Sequence, residues 1–391
     1  MHVERRPSSR PRAYRRRRSP WVYWLRRGLV AGLCVLLAAT TWSIVGALRA
    51  PGDDDASVKL AEWARDHWLG PVVTAAEAVQ YRLNPPQTGG APDTSQLASG
   101  AAENANAGKR VGTGPGASLV PLQARLSTPV TPALPGEGVF VPAASTKAGP
   151  LVQFTYVRPD TVHTSYLTGV AWMSHRIHFV LHPGYEDPGT AGMSQPDAVT
   201  RTQLRGLAAT FNGGFKLKDS GGGYYDHGTT IGTLTAGAAS FVVYRDGHAT
   251  VGTWGGDVSM TSDVVYVRQN LKPLIQGGVI ASNLDSDVQG TWGVTVGGGL
   301  AVWRSGIGVT AAGDLVYVGG NALTVSALAD VLHRAGAVTA MQLDINTAWV
   351  SYMYYTHPTS TPVPHKLVPF QRSLARYLSP VSRDFVAAYL P

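Results

Sequence analysis

Residues 28–48 (GLVAGLCVLLAATTWSIVGAL) place 21 uncharged positions in a row. At the helical rise they span roughly 31 Å, about one hydrocarbon core of a bilayer. Trp21, Tyr23 and Trp24 stand where an aromatic belt belongs, and arginines crowd the same side. The pattern predicts a transmembrane signal anchor at 28–48, with residues 1–27 cytoplasmic and the main domain extracytoplasmic at the cell membrane. A cleaved signal peptide has a shorter apolar run and a small-x-small site, which Ala47-Leu48-Arg49-Ala50 imitates only weakly. Residues 53–83 carry two amphipathic helical patterns. Leu60, Trp63, Ala64 and Trp68 form the first; Val72, Val73, Ala76 and Val79 form the second, after Pro71. This stalk packs on the main domain, lies at the membrane surface or dimerises, and the pattern alone leaves all three open.

The periodicity stops at 85–150. Gly, Pro, Ala, Ser and Thr fill 43 of these 66 positions, which reads as a low-complexity linker. From 151 to 391 short β-rich runs alternate with Gly-rich turns: VQFTYV, LTGVAW, RIHFVL, GLAATF, ASFVVY, ATVGTW, DVVYVR, WGVTV, GLAVWR and LVYVGG. Asp246-Gly247 signals a hairpin. A helix is predicted at 324–335, capped by Thr324, striped by Val325, Leu328, Ala329 and Leu332, and ended by Gly336. VTAMQLDIN (338–346) follows as a buried strand, and a last helix is expected near 380–389. The fold class is α/β, mixed and β-rich, in one globular domain behind the anchor and linker. At about 240 residues such a domain buries about 70% of its chain surface and needs no disulfide.

Charge and cysteine content narrow the function. The formal charge is +8, yet residues 1–27 hold ten Arg and one Glu, and the remaining 364 residues hold 23 basic and 24 acidic side chains. The near-neutral body argues against nucleic acid as a partner. The one cysteine, Cys34, lies inside the apolar span, so the exported part has neither a thiol nucleophile nor a Cys-based metal site. No GxSxG, HExxH, SxxK or GxGxxG motif stands in a convincing context. His175, His178 and His182 lack metal-ligand spacing.

Glu186 is the single Glu of 151–391, so catalytic carboxylates are sought among the aspartates. Asp246 and Asp314 sit in Gly turns, and Asp330 and Asp384 sit on predicted helices as solvated faces. Asp219, Asp226, Asp257, Asp263, Asp285, Asp287 and Asp344 remain. Asp344 ends an apolar strand and precedes Asn346, at the place where α/β folds hold ligand-facing groups; the plainer alternative is an Asp that caps the next turn. Phe211-Asn212-Gly213-Gly214-Phe215 also follows an apolar strand. Its glycines let backbone N–H groups approach an anion, or simply make a tight turn. Residues 217–228 (LKDSGGGYYDHG) read as a flap or binding loop. Arg304, among strand-forming residues, needs an anion, either Asp344 or a ligand phosphate. Asp285 and Asp287 are a candidate pair for a divalent cation or a solvated loop; no other cofactor is indicated.

Three of these pieces, in order, resemble the phosphodiester glycosidase family, the domain of N-acetylglucosamine-1-phosphodiester alpha-N-acetylglucosaminidase, in an exported, membrane-anchored bacterial branch. They are the Asn212–Phe215 turn, the Arg304–Gly308 strand with its partner Leu315–Val318, and the 324–335 helix leading to Leu343-Asp344-Ile345-Asn346. The resemblance covers roughly 151–355. The family's glycine triplet after the Asp is here Ile345-Asn346-Thr347, and its Phe pair is Phe215-Lys216. The resemblance implies hydrolysis of a glycosyl-phosphodiester bond in an envelope glycan. Asp344 would be nucleophile or general base, Arg304 the phosphate's counter-charge and Asp226 a second carboxylate. Asn212, Gly213, Gly214 and Asn346 would bind substrate. The alternative is a non-catalytic envelope protein that binds a glycan or glycan phosphate; a pure scaffold would instead have Arg304 enclosed by side chains.

Overall fold

The computed structural model describes residues 20–52, 54–95, 119–286, 291–293, 295, 299–357 and 361–391. Asp287 and much of the basic segment and linker lie outside them. Two units are distinguished, Met1–Ala50 and Pro51–Pro391. The first contains α1 (Pro20–Leu48), an uninterrupted helix long and apolar enough to cross a membrane.

In the second unit α2 (Ala56–Asp66) and α3 (Gly70–Leu83) form a helical hairpin. Three antiparallel sheets follow. The first holds β1 (Val141–Thr146), β2 (Gly149–Val157), β3 (Thr168–Met173), β14 (Leu315–Leu323), β13 (Val302–Thr310), β15 (Ala337–Gln342), β11 (Pro273–Gln276) and β12 (Val279–Ile280), in that spatial order. Strand β1 falls in a stretch whose composition reads as linker. The second sheet is β7 (Thr229–Ile231), β6 (Tyr224–Asp226), β10 (Val264–Gln269), β8 (Ala239–Tyr244) and β9 (Ala249–Thr253). The third is β17 (Val363–Lys366), β16 (Tyr352–Thr356), β5 (Leu207–Asn212), β18 (Phe385–Tyr389) and β4 (His178–His182).

One buried cluster draws on all three sheets: Phe154, Ile307, Tyr317 and Met341 from the first, Phe241 and Val251 from the second, Phe211 and Tyr352 from the third. The helix Val325–Arg334 covers the other face of the first sheet with Leu328, Val331 and Leu332 against Val316, Val318 and Leu274. Its cap is as read: Thr324 accepts from the Ala327 N–H at 3.0 Å.

The expected helix near 380–389 is instead β18. Phe385–Ala388 are buried and pair with β5 on one side and β4 on the other. Two flanking strands satisfy its backbone and override the helix preference of its alanines. Asp384, expected on a solvated helical face, is therefore 2% exposed at the start of an inner strand. Of the expected strand WGVTV, the described residues Trp292, Gly293 and Thr295 form no strand.

Candidate active site

The sheets converge where β5, β10, β15 and β18 meet, and backbone geometry there is set by side chains. Asn212 ends β5; its Nδ2 donates to the Gly213 carbonyl at 2.9 Å and to Ser305 Oγ at 3.0 Å. Its Oδ1 accepts from Tyr317 OH at 3.0 Å and from the Ser351 N–H at 3.1 Å. Asn212 thus ties three strands together with its amide saturated by protein. The two glycines are required by packing. A Cβ on Gly213 would overlap the Asp384 carboxylate, and one on Gly214 would lie 2.9 Å from Asn270 Cγ. The close approach expected of a ligand is made by these two side chains.

Asp384 is held by Arg268, whose Nε and Nη2 donate to its two carboxylate oxygens at 2.8 and 3.1 Å. Arg268 Nη2 also reaches the Phe215 carbonyl. Burial pushes the Asp384 carboxyl above its ordinary range, with Arg268 opposing. Asn270 finishes the splint. It donates to the carbonyls of Gln342 and Leu343 at 2.7 and 2.8 Å and accepts from the Phe215 N–H at 3.2 Å. The Asn212–Phe215 turn is thereby fastened to the end of β15, where Asp344 follows.

Asp344 Oδ1 accepts the backbone N–H groups of Ile345 at 2.7 Å and Asn346 at 3.1 Å, so this carboxylate does cap its own turn. Its Oδ2 lies 3.4 Å from Arg383 Nη2, which also donates to the Gly214 carbonyl at 3.0 Å. Arg383 stacks on Trp349 with its guanidinium carbon 5.0 Å from the ring centre. Burial raises the Asp344 carboxyl to about 6; Arg383 and the two N–H groups lower it, and the Glu62 charge adds to the rise.

Asp344, Asn346, Arg383 and Trp349 line a cleft of about 500 Å³, together with Phe215, Lys216, Lys218, Asp219 and Leu271. Gly293, Thr295 and Ile345 also line it, and the helical hairpin adds Glu62, Arg65, Thr74 and Glu77. Glu62 pairs with Lys216 at 2.5 Å, and Asp66 reaches Lys218 at 3.1 Å. Burial works against ionisation of Glu62, but Lys216, Arg383 and Arg65 together outweigh it and hold the carboxyl below its usual range.

The other predicted residues lie elsewhere. Arg304 is fully buried and absent from the cleft lining. Its Nε donates to the Leu323 carbonyl at 2.9 Å, its Nη1 to Gln342 Oε1 at 3.0 Å and its Nη2 to the Leu300 carbonyl at 3.3 Å. The expected pair with Asp344 is not made; Arg383 takes that place. Burial lowers Arg304 to about 10, and Arg304 is enclosed as a scaffold would have it, while the cleft itself is open. Asp226, on β6, accepts from the Ser194 N–H at 2.7 Å and pairs with His227 at 2.7 Å, outside the cleft lining. Asp285 is exposed, and the described residues hold no cluster of three His, Cys, Asp or Glu able to hold a metal.

Arg383, Lys216, Glu62, Arg268 and Asp384 were not found as site residues from sequence. Arg383-Asp384, a charge pair directly before an apolar run, was the available signal, and reading that run as a helix hid it. Glu62 belongs to the amphipathic stretch before the β-rich domain, where local pattern gives a carboxylate no sign of a site.

No protein-family model and no curated protein matches the chain. The solved structures to which it is distantly similar in fold include the following three. One is the zebrafish N-acetylglucosamine-1-phosphodiester alpha-N-acetylglucosaminidase catalytic domain, auto-inhibited by its pro-peptide (15% identity, 64% of this chain, 87% of that one, TM-score 0.41). The second is a hypothetical protein from Synechocystis (12%, 64% and 64%, 0.35). The third is a protein from Burkholderia pseudomallei described as exported (11%, 58% and 74%, 0.34).

Two outcomes test this geometry. Arg268→Ala strands Asp384 as a buried charge and should cost about 3–5 kcal/mol in denaturant unfolding; an unchanged midpoint contradicts the splint. Asp344, raised when folded, keeps its proton between about pH 4 and 6 where the unfolded chain has lost it, so this group's contribution to stability falls as pH rises through that window. Asp344→Asn should therefore gain on wild type by up to about 3 kcal/mol between those pH values. A pH-independent difference contradicts the raised carboxyl.

Proposed function

We propose that the chain is a membrane-anchored extracytoplasmic hydrolase of glycosyl phosphodiesters, with its active centre at Asp344 rather than around Arg304. The observation that carries this reading is the Asp344–Arg383 pair in the wall of an open cleft, a carboxylate poised near neutrality beside a fixed cation. Water attacks the anomeric carbon and gives its proton to Asp344, or Asp344 attacks first and water then hydrolyses the glycosyl ester; either way the bond from that carbon to the bridging oxygen breaks and the oxygen leaves with the phosphate monoester. The leaving group needs little protonation, so charge stabilisation matters more than an acid. Asp344 Oδ2 serves as nucleophile or general base, Arg383 and Lys216 take up phosphate charge, and Asn346 faces the sugar. The motif resemblance supports the reaction class, and α1 supports the anchored location.

One observation favours the non-catalytic alternative. Asp344 Oδ1 is occupied by two backbone N–H groups where the family has glycines. A glycan-phosphate binder with the same cleft would bind substrate without releasing sugar.

Free-sugar release from a panel of sugar 1-phosphodiesters, UDP-N-acetylglucosamine among them, separates the two. Asp344→Ala should lower kcat/KM by about 10³-fold and Arg383→Ala by about 10²-fold or more, both variants remaining folded. Arg304→Ala should act mainly through stability. Saturable binding without release replaces the hydrolase with the binder. The wild-type rate should rise with pH through about 6, as Asp344 loses its proton; a rate that falls across that range contradicts the base assignment.

A further inference from the structure

The helical hairpin has two faces. Glu62, Arg65, Thr74 and Glu77 line the cleft, and Tyr81 OH donates to the Ala301 carbonyl at 3.2 Å. Asp54 pairs with Arg372 at 2.5 Å, and Arg65 ties α2 to α3 through Glu77 at 2.5 Å. The opposite face is apolar and exposed. Val72, Ala76, Val79 and Leu83 follow helical spacing down α3, with Val72 64% and Leu83 74% exposed. Trp68 and Leu69 stand at the turn. Trp68 is 94% exposed and takes φ +67°, a conformation uncommon for a bulky residue. No described residue covers this stripe.

Seven residues, 49–55, separate the end of α1 from the start of α2, a reach of at most roughly 28 Å. With α1 across a bilayer, this tether and the roughly 16 Å length of α2 leave the stripe within reach of the lipid surface. A Trp at one end of an apolar stripe, backed by a polar face, is the composition of an interfacial helix. We propose that the outer face of the α2–α3 hairpin lies in the interfacial region of the bilayer that α1 enters. The cleft wall is the inner face of the same helix, so the cleft opens within about one helix diameter, 10–12 Å, of the headgroups. Resting on the hydrolase reading, this selects glycosyl phosphodiesters whose phosphate carries a membrane lipid. Cleavage on the sugar side leaves the lipid phosphate in the bilayer and sends the sugar into water.

The test uses the full chain, in vesicles of phosphatidylcholine and phosphatidylglycerol. Cys34→Ser removes the native thiol, and Trp68→Cys, Val79→Cys or, as a control on the domain surface, Met260→Cys each accept one nitroxide label. Dissolved oxygen should relax the labels at 68 and 79 strongly and a water-soluble nickel chelate weakly, with the reverse at 260. Labels at 68 and 79 as open to nickel as the one at 260 overturn the proposal. Labels shielded from both relaxants overturn it too, and assign the stripe to a second copy or another segment of this chain. This readout needs no activity, so failure of the hydrolase reading is seen separately. In the same vesicles a lipid-borne sugar phosphodiester should be cleaved at least tenfold faster than a short-chain soluble one, and Val72→Ser with Val79→Ser should erase that preference. Equal rates in the wild type overturn the substrate class.

Discussion

A buried guanidinium cannot give up its proton, so every arginine taken into this domain dictates what surrounds it. Around the junction of β5, β10, β15 and β18 the chain buries several. Arg268 fixes Asp384, Arg383 faces Asp344, Arg372 meets Asp54, and Arg304 is satisfied by two carbonyls and Gln342. These partners decide which loops approach one another. Asp384 lies against Gly213 because Arg268 holds it there, and Gly214 is drawn in because Arg383 donates to its carbonyl. The turn after β5 and the turn after β15 are thus held face to face by charge, over a hydrophobic core that all three sheets share.

Much of the framework was legible because it depends on local pattern. Thr324 and the apolar stripe behind it define their helix without reference to the rest of the chain. The β-rich runs are recognisable from their β-branched and aromatic residues between Gly turns, although WGVTV, whose described residues form no strand, shows that such a run need not become one. Asp344 was legible as the last polar step of an apolar strand. The rest depends on partners distant in sequence. Phe385–Tyr389 is a strand only because β5 and β4 flank it, and alanine-rich local sequence pointed to a helix. Arg304 and Arg383 are equally plausible counter-ions for Asp344 on paper; burial of one and exposure of the other to the cleft decide between them. Glu62 reaches the cleft from more than 150 residues away in sequence, through a hairpin whose spacing shows two faces but does not say which is covered.

The cleft joins these strands of the argument. Its carboxylate is buried enough to sit near neutrality and is faced by a cation that cannot be lost. Its wall includes a hairpin separated by seven residues from an apolar helix. In the proposed reaction Arg383 and Lys216 take up the phosphate charge, and the turn glycines serve packing.

The most direct measurement of the central claim is the fate of solvent oxygen when the protein turns over a sugar phosphodiester in water enriched in ¹⁸O. Attack at the anomeric carbon, assisted by Asp344, places the label on the released sugar and leaves the phosphate monoester unlabelled. Label in the phosphate would mean cleavage at phosphorus and contradict the account.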